Sequence, residues 1–298
     1  MSTVLQTNQL TKHFGRIKAV QELDLQIETG QVFGILGPNG SGKTTTLGML
    51  LGVTKRTSGT FSWFEQGEGH ALRKRIGAIL EHPIFYPFLN SIENLKIAAH
   101  IKDVQNPDFD GLLKTVGLYD RRLDAFRTYS LGMKQRLAIA TALVSDPDIL
   151  IFDEPTNGLD PQGIADIRKM IVDIAEMGKT IILASHLLDE VQKVCSDFMV
   201  LKSGVKVFQG KVDDVLNQKQ RIEVYADDEE ALRTALSEVN QVSSVKFEYG
   251  VLVAELNEEY SARDLNTFLY ERGIVASHLA NVRSSLEEQF LSILDEDD

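Results

Sequence analysis

At 298 residues, 43% of them hydrophobic, the chain has room for one large α/β domain and one small second domain, each with its own core. Its formal net charge of -12 speaks against nucleic acid as a partner, and no apolar run approaches the ~18 residues needed to cross a bilayer. Met1 to Gln9 lacks the basic-then-apolar pattern of a secretory signal, and a single cysteine, Cys195, leaves no internal disulfide, so a cytoplasmic, reducing location is expected.

The first informative element is Gln31-Val32-Phe33-Gly34-Ile35-Leu36, a short apolar run that reads as a buried strand. It feeds Gly37-Pro38-Asn39-Gly40-Ser41-Gly42-Lys43-Thr44, a full G-x-x-x-x-G-K-[ST] phosphate-binding loop. Polyphosphate can be wrapped only by backbone N–H groups that approach it closely, which the Cβ-free Gly37, Gly40 and Gly42 permit. Pro38, Asn39 and Ser41 complete the loop. Lys43 would place a point charge on the β- and γ-phosphates, and the Thr44 hydroxyl would be a hard oxygen ligand for Mg²⁺. Thr45 to Leu51 reads as a helix whose positive dipole end faces the phosphates.

About 110 residues on, Ile149-Leu150-Ile151-Phe152 is again continuously apolar and ends in Asp153-Glu154, after which Pro155 stops the ladder. A magnesium nucleotide needs such a pair: Asp153 would hold the metal and Glu154 would polarise the attacking water as general base. Ser130, ahead of the periodic Leu137, Ala140 and Val144, has the form of a helix N-cap. Thr180 to Ala184 is a further apolar strand leading to His186, and Phe198 to Phe208 reads as a hairpin turning at Ser203-Gly204.

Charge then divides the chain. Residues 1–217 carry 24 Lys and Arg against 25 Asp and Glu, residues 218–298 carry 7 against 18, and polar Asn217-Gln218-Lys219-Gln220 reads as a linker. Two domains are therefore expected, 1–217 and 218–298. The second alternates as strand Arg221 to Tyr225, helix Asp228 to Val239, strands Val242 to Glu248 and Val251 to Leu256 around Tyr249-Gly250, helix Ala262 to Arg272, and a strand after Gly273. That order suggests a small α+β, ferredoxin-like unit. A last amphipathic helix, Ser285 to Leu294, sets Leu286, Phe290 and Leu294 on one face.

With Tyr129-Ser130-Leu131-Gly132-Met133-Lys134-Gln135-Arg136 between the phosphate loop and the acidic pair, the chain resembles the ABC-type ATPases over residues 3 to about 217. The motifs stand in family order: Phe14, the phosphate loop, Glu81, the signature at Ser130 to Gln135, Asp153-Glu154, Asn157-Gly158-Leu159-Asp160, and His186. The stretch from Ile76 to Leu95 and the signature look most like bacterial exporter ATPases typified by bacitracin-resistance transporters. The resemblance implies a P-loop NTPase fold with a RecA-like core and a helical subdomain, and an enzyme that binds and hydrolyses ATP with Mg²⁺. By the same resemblance Phe14 would stack on adenine, Glu81 would ligate the metal where the family has glutamine, and Ser130 and Gly132 would grip the γ-phosphate held by a second copy. Asp160 would communicate across that head-to-tail homodimer, and His186 would bond the γ-phosphate. Leu131 departs from the family, replacing a glycine that approaches the nucleotide. The energy of closure would act on a separate transmembrane permease, placing the subunit peripherally on the inner face of the cell membrane. Export is the expected direction, the alternative being a cassette that drives a mechanical or regulatory membrane complex without cargo.

Overall fold

Runs such as VFGIL, ILIFD and TIILAS are buried at every position because both faces of their strands are covered, and they form the centre of a parallel sheet. The computed structural model describes residues 2–80, 84–216, 220–248, 250–257 and 260–282. It divides into two compact units, Met1–Val212 and Asp213–Asp298.

In chain order the first unit contains β1 (Thr3–Phe14), β2 (Ile17–Glu28), β3 (Val32–Leu36), α1 (Lys43–Leu50), β4 (Ser58–Trp63) and β5 (Ile76–Ile79). There follow α2 (Ser91–Lys102), α3 (Phe109–Thr115), α4 (Leu131–Leu143), β6 (Ile149–Asp153), α5 (Pro161–Glu176), β7 (Thr180–Ser185), α6 (Leu188–Val194), β8 (Asp197–Lys202) and β9 (Val205–Lys211). A six-stranded sheet has the order β5-β6-β7-β3-β8-β9, parallel except for β9. Ligands of such sheets bind beyond the carboxyl ends of the strands. This order sets the ends of β6, β7 and β3 side by side, and with them Asp153-Glu154, Ser185-His186 and the phosphate loop. A three-stranded antiparallel sheet, β2-β1-β4, packs into the same core, where Trp63, Phe33 and Leu47 are fully buried.

The β8–β9 hairpin turns at Ser203 (φ 50°) and Gly204 (φ 82°), the paired positive φ of a type I′ turn. Gly204 is required there because a Cβ would lie 2.7 Å from Lys18 O. The backbone of this turn is tied to the phosphate loop by Gly204 N donating to Ser41 O at 2.9 Å.

Cys195 is 8% exposed, between α6 and β8, and burial pushes its thiol well above the ordinary range, with Glu190 and Asp197 adding to the shift. Exchange with a disulfide reagent needs the thiolate. Folded protein at pH 8 is therefore expected to react with a water-soluble thiol reagent at least ~100-fold more slowly than protein in denaturant, as absorbance of the released chromophore would record.

The second unit opens with α7 (Val212–Leu216), which spans the division, and continues with β10 (Gln220–Ala226), α8 (Glu229–Ser237), β11 (Val242–Glu248), β12 (Val251–Leu256), α9 (Ala262–Glu271) and β13 (Ala276–Val282). Its sheet is antiparallel throughout, in the order β11-β12-β10-β13. Alternation does the sorting: Ile222, Val224 and Ala226 point into a core shared with Leu232 and Leu236 of α8 and Leu265 and Leu269 of α9. Asp228 caps α8, and Ser261 with Asp264 forms a capping box on α9. The helix expected over Ser285 to Leu294, the linker residues 217–219, and Tyr249 lie outside the described residues.

Candidate functional site

The phosphate loop joins β3 to α1 in a shape only its glycines allow. Gly42 sits at φ 110°, where a Cβ would stand 2.3 Å from Ala19 O, and a Cβ on Gly37 would stand 2.3 Å from Leu201 O. Lys43, the first residue of α1, is 6% exposed. Its Nζ donates to Gly37 O at 2.7 Å and Pro38 O at 3.2 Å, and lies 3.2 Å from Glu154 Oε1. A cation is thus held at the mouth of the loop by two carbonyls and one carboxylate.

The loop borders a cavity of about 400 Å³ lined by Asn39, Gly40, Gly42, Lys43, Thr44, Thr45 and Glu154. Ile17, Lys18, Ala19 and Ser203 line it too, and none of these four was expected from the sequence. The Ser-Gly turn signal located the hairpin tip but nothing local says where that tip lies. Phe14, half exposed with Lys12 Nζ 4.5 Å over its ring, is not among the lining residues.

At the end of β6, Asp153 is 2% exposed and Glu154 turns out of the strand at φ 50°, its N–H donating to Ala184 O at 2.9 Å. Glu154 Oε2 is 2.7 Å from His186 Nδ1, so one carboxylate spans the lysine of the phosphate loop and the histidine after β7. The exposed Thr44 hydroxyl and the Asp153 carboxylate are hard oxygen donors of the kind Mg²⁺ takes. Among the described residues no group of three or more His, Cys, Asp or Glu side chains forms a metal cage. A donor set this small fits Mg²⁺, which completes its shell with phosphate oxygens and water. Ser41 Oγ, buried beneath the loop, has no hydrogen-bond partner among the described residues. Glu81 lies outside the described residues.

Ser130, Gly132 and Asp160 gather elsewhere. Ser130 caps α4, its Oγ accepting from Met133 N at 3.3 Å, and Asp160 caps α5, Oδ1 accepting from Gly163 N at 2.9 Å. With Leu131 and Gly158 they line a second cavity, of about 530 Å³, that shares no lining residue with the first. Leu131 is 42% exposed and packs over Gly158, where an added Cβ would come within 3.2 Å of Leu131 Cδ2.

A glycine loop opening a helix, a lysine at its mouth and an acidic pair on a neighbouring parallel strand define a P-loop nucleoside triphosphatase. Residues 20–157 match the ABC transporter family model. The bacitracin transport ATP-binding protein BcrA of Bacillus licheniformis is 34% identical over 99% of this chain and 98% of its own. Nod factor export ATP-binding protein I of Cupriavidus metallidurans is 35% identical over 83% and 85%. Among solved structures, the dimeric post-hydrolysis ATP-binding cassette MJ0796 bound to ADP and Pi is 26% identical, with a TM-score of 0.61 over 70% of this chain and 98% of that one. The chain belongs to the ABC transporter family, as an ATP-binding subunit that hydrolyses ATP.

Proposed function

We propose that two copies close head to tail on two Mg-ATP and that closure and reopening drive a separate membrane permease in export. The observation that carries this reading is the separation of the two half-sites: Ser130, Gly132 and Asp160 share a cavity that has no residue in common with the one at Lys43 and Glu154. Paired across a dimer, the first set would bond the γ-phosphate of nucleotide held by the second, as N–H groups at a helix start bond anions.

Within one copy, the loop from Gly37 to Thr45 holds the phosphates and Phe14 stacks on adenine. Thr44, Asp153 and Glu81 would hold Mg²⁺, which would supply neutralising charge to the phosphates. Glu154 takes the proton of the attacking water, and His186, bonded to Glu154, orients that carboxylate and contacts the γ-phosphate. No helix among the described residues is long and apolar enough to cross a membrane, so the spans belong to the partner, with this subunit peripheral on the inner face. The strand order β13-β10-β12-β11 supports a ferredoxin-like reading of the acidic second unit.

Light scattering of the Glu154→Gln variant with Mg-ATP tests the dimer; a mass of one copy at saturating nucleotide contradicts it. Co-purification with a multi-span membrane protein, then ATP-dependent movement of solute in vesicles, separates export from a membrane role without cargo. Ser130→Ala is expected to cost about 1 kcal/mol of stability through the lost cap. It should also lower turnover several-fold while nucleotide affinity of the single copy stays within twofold; an equal loss of affinity would place Ser130 in the cis site instead.

A further inference from the structure

Glu190 is 1% exposed, and desolvating a carboxylate costs several kcal/mol unless it is well bonded. Among the described residues no Lys, Arg or His forms an ion pair with it. Instead its two oxygens take two hydroxyls from different segments: Thr156 Oγ1 donates to Oε1, and Ser185 Oγ donates to Oε2 at 2.6 Å. Ser185 Oγ uses both capacities of a hydroxyl: it accepts from Leu187 N at 3.0 Å and donates its proton to the carboxylate.

The two hydroxyls flank the reacting pair. Thr156 lies two residues past Glu154, in a turn closed by Asn157 N donating to Glu154 O at 3.1 Å. Ser185 immediately precedes His186, and its carbonyl accepts from Gly37 N of the phosphate loop at 3.3 Å. One buried carboxylate therefore joins Thr156, past the end of β6, to Ser185, the last residue of β7, next to the bond from Glu154 N to Ala184 O. The β6–β7 ladder ends with Asp153 opposite Ala184 and the one further bond from Glu154 N, and the 2.7 Å contact between Glu154 and His186 is made at this end.

We propose that Glu190 is a positioning residue: bonded to Thr156 and Ser185, it holds Glu154 and His186 in register with each other and with the phosphate loop. The proposal rests on the reading of Glu154 and His186 as the reacting pair. Misplacement of a reacting group by about 1 Å can cost ~100-fold in rate, so a device that fixes register acts on turnover and leaves binding alone.

The full chain is compared as wild type, Glu190→Ala, Glu190→Gln, Glu154→Gln and Glu154→Ala, with ATP turnover, nucleotide affinity and imidazole ¹⁵N–¹H spectra at one pH. The His186 signal is identified by its loss in His186→Gln. Glu190→Ala should lower kcat ~10- to 100-fold with KM and affinity within threefold, and should move the His186 signal toward its position in Glu154→Ala. Glu190→Gln, whose amide oxygen can accept from Ser185 while its NH₂ donates to Thr156 Oγ1, keeps a bond to each segment and should keep the wild-type signal and most of the turnover. An unmoved His186 signal in Glu190→Ala, or equal impairment of the alanine and glutamine variants, overturns the proposal. Should Glu190→Ala not fold, Thr156→Val and Ser185→Ala remove one hydroxyl each; each should move the same signal, and no movement in either overturns it. Normal turnover by Glu154→Gln would instead defeat the reading of the reacting pair, while the spectra still decide the role of Glu190.

Discussion

Glu154→Gln should lower ATP turnover by about 10²- to 10⁴-fold, the range lost with a positioned general base, while ATP remains bound. The geometry separates the two effects. Glu154 Oε1 lies 3.2 Å from Lys43 Nζ, so before nucleotide binds, this carboxylate competes for the cation that the phosphates would use. An amide is isosteric and can still bond His186, but it neither takes a proton at neutral pH nor holds a charge against incoming phosphate. Affinity for Mg-ATP should therefore be unchanged or tighter, and the closed nucleotide-bound dimer should accumulate because the step that opens it is slow. Steady-state phosphate release, read beside molar mass by light scattering, checks both halves. Turnover within tenfold of wild type would remove Glu154 from the base role, and wild-type mass with lost turnover would leave it the base while denying that hydrolysis opens the dimer.

Much of this arrangement was readable locally. The phosphate loop, the strand ending in Asp153-Glu154, the cap at Ser130 and the turn at Ser203-Gly204 each depend on a few neighbouring residues whose conformational demands are written in their side chains. What the sequence did not reveal depends on the order of strands. Glu154 and His186 are 32 residues apart and meet because β6 and β7 are neighbours with Asp153 opposite Ala184. Sheet order is fixed by packing of the whole domain, and no window of sequence encodes it. Ile17, Lys18 and Ala19 belong to none of the motifs; they line the nucleotide cavity because the chain passes over Gly42 there, closely enough to exclude a Cβ. Glu190 was hidden for a different reason. An acidic residue in the first turn of a helix is what the helix dipole favours at any surface, so its burial and its two hydroxyl partners leave no trace in the pattern.

Lys43→Ala is expected to fail earlier, at binding. Its Nζ is held by Gly37 O, Pro38 O and the Glu154 carboxylate in a pocket that leaves the side chain 6% exposed, so the charge is pre-placed and has little freedom left to lose when phosphate arrives. Hydrogen bonds to a charged group contribute about 1.5–3 kcal/mol each, and loss of two such contacts to phosphate oxygens corresponds to roughly 10²- to 10⁴-fold in affinity. The fold should tolerate the change better than the ligand does. Alanine is the best helix former at the start of α1, and the stranded Glu154 carboxylate keeps His186, so the melting point should fall by only a few degrees, for a cost of about 1–2 kcal/mol. Lys43→Arg should not restore binding. A planar guanidinium keeps the charge but cannot sit as a point between two loop carbonyls and a carboxylate that all lie within 3.2 Å of one nitrogen. Calorimetric titration with Mg-ATP distinguishes these expectations, and alanine binding as tightly as lysine would mean that the loop does not hold the phosphates through this side chain.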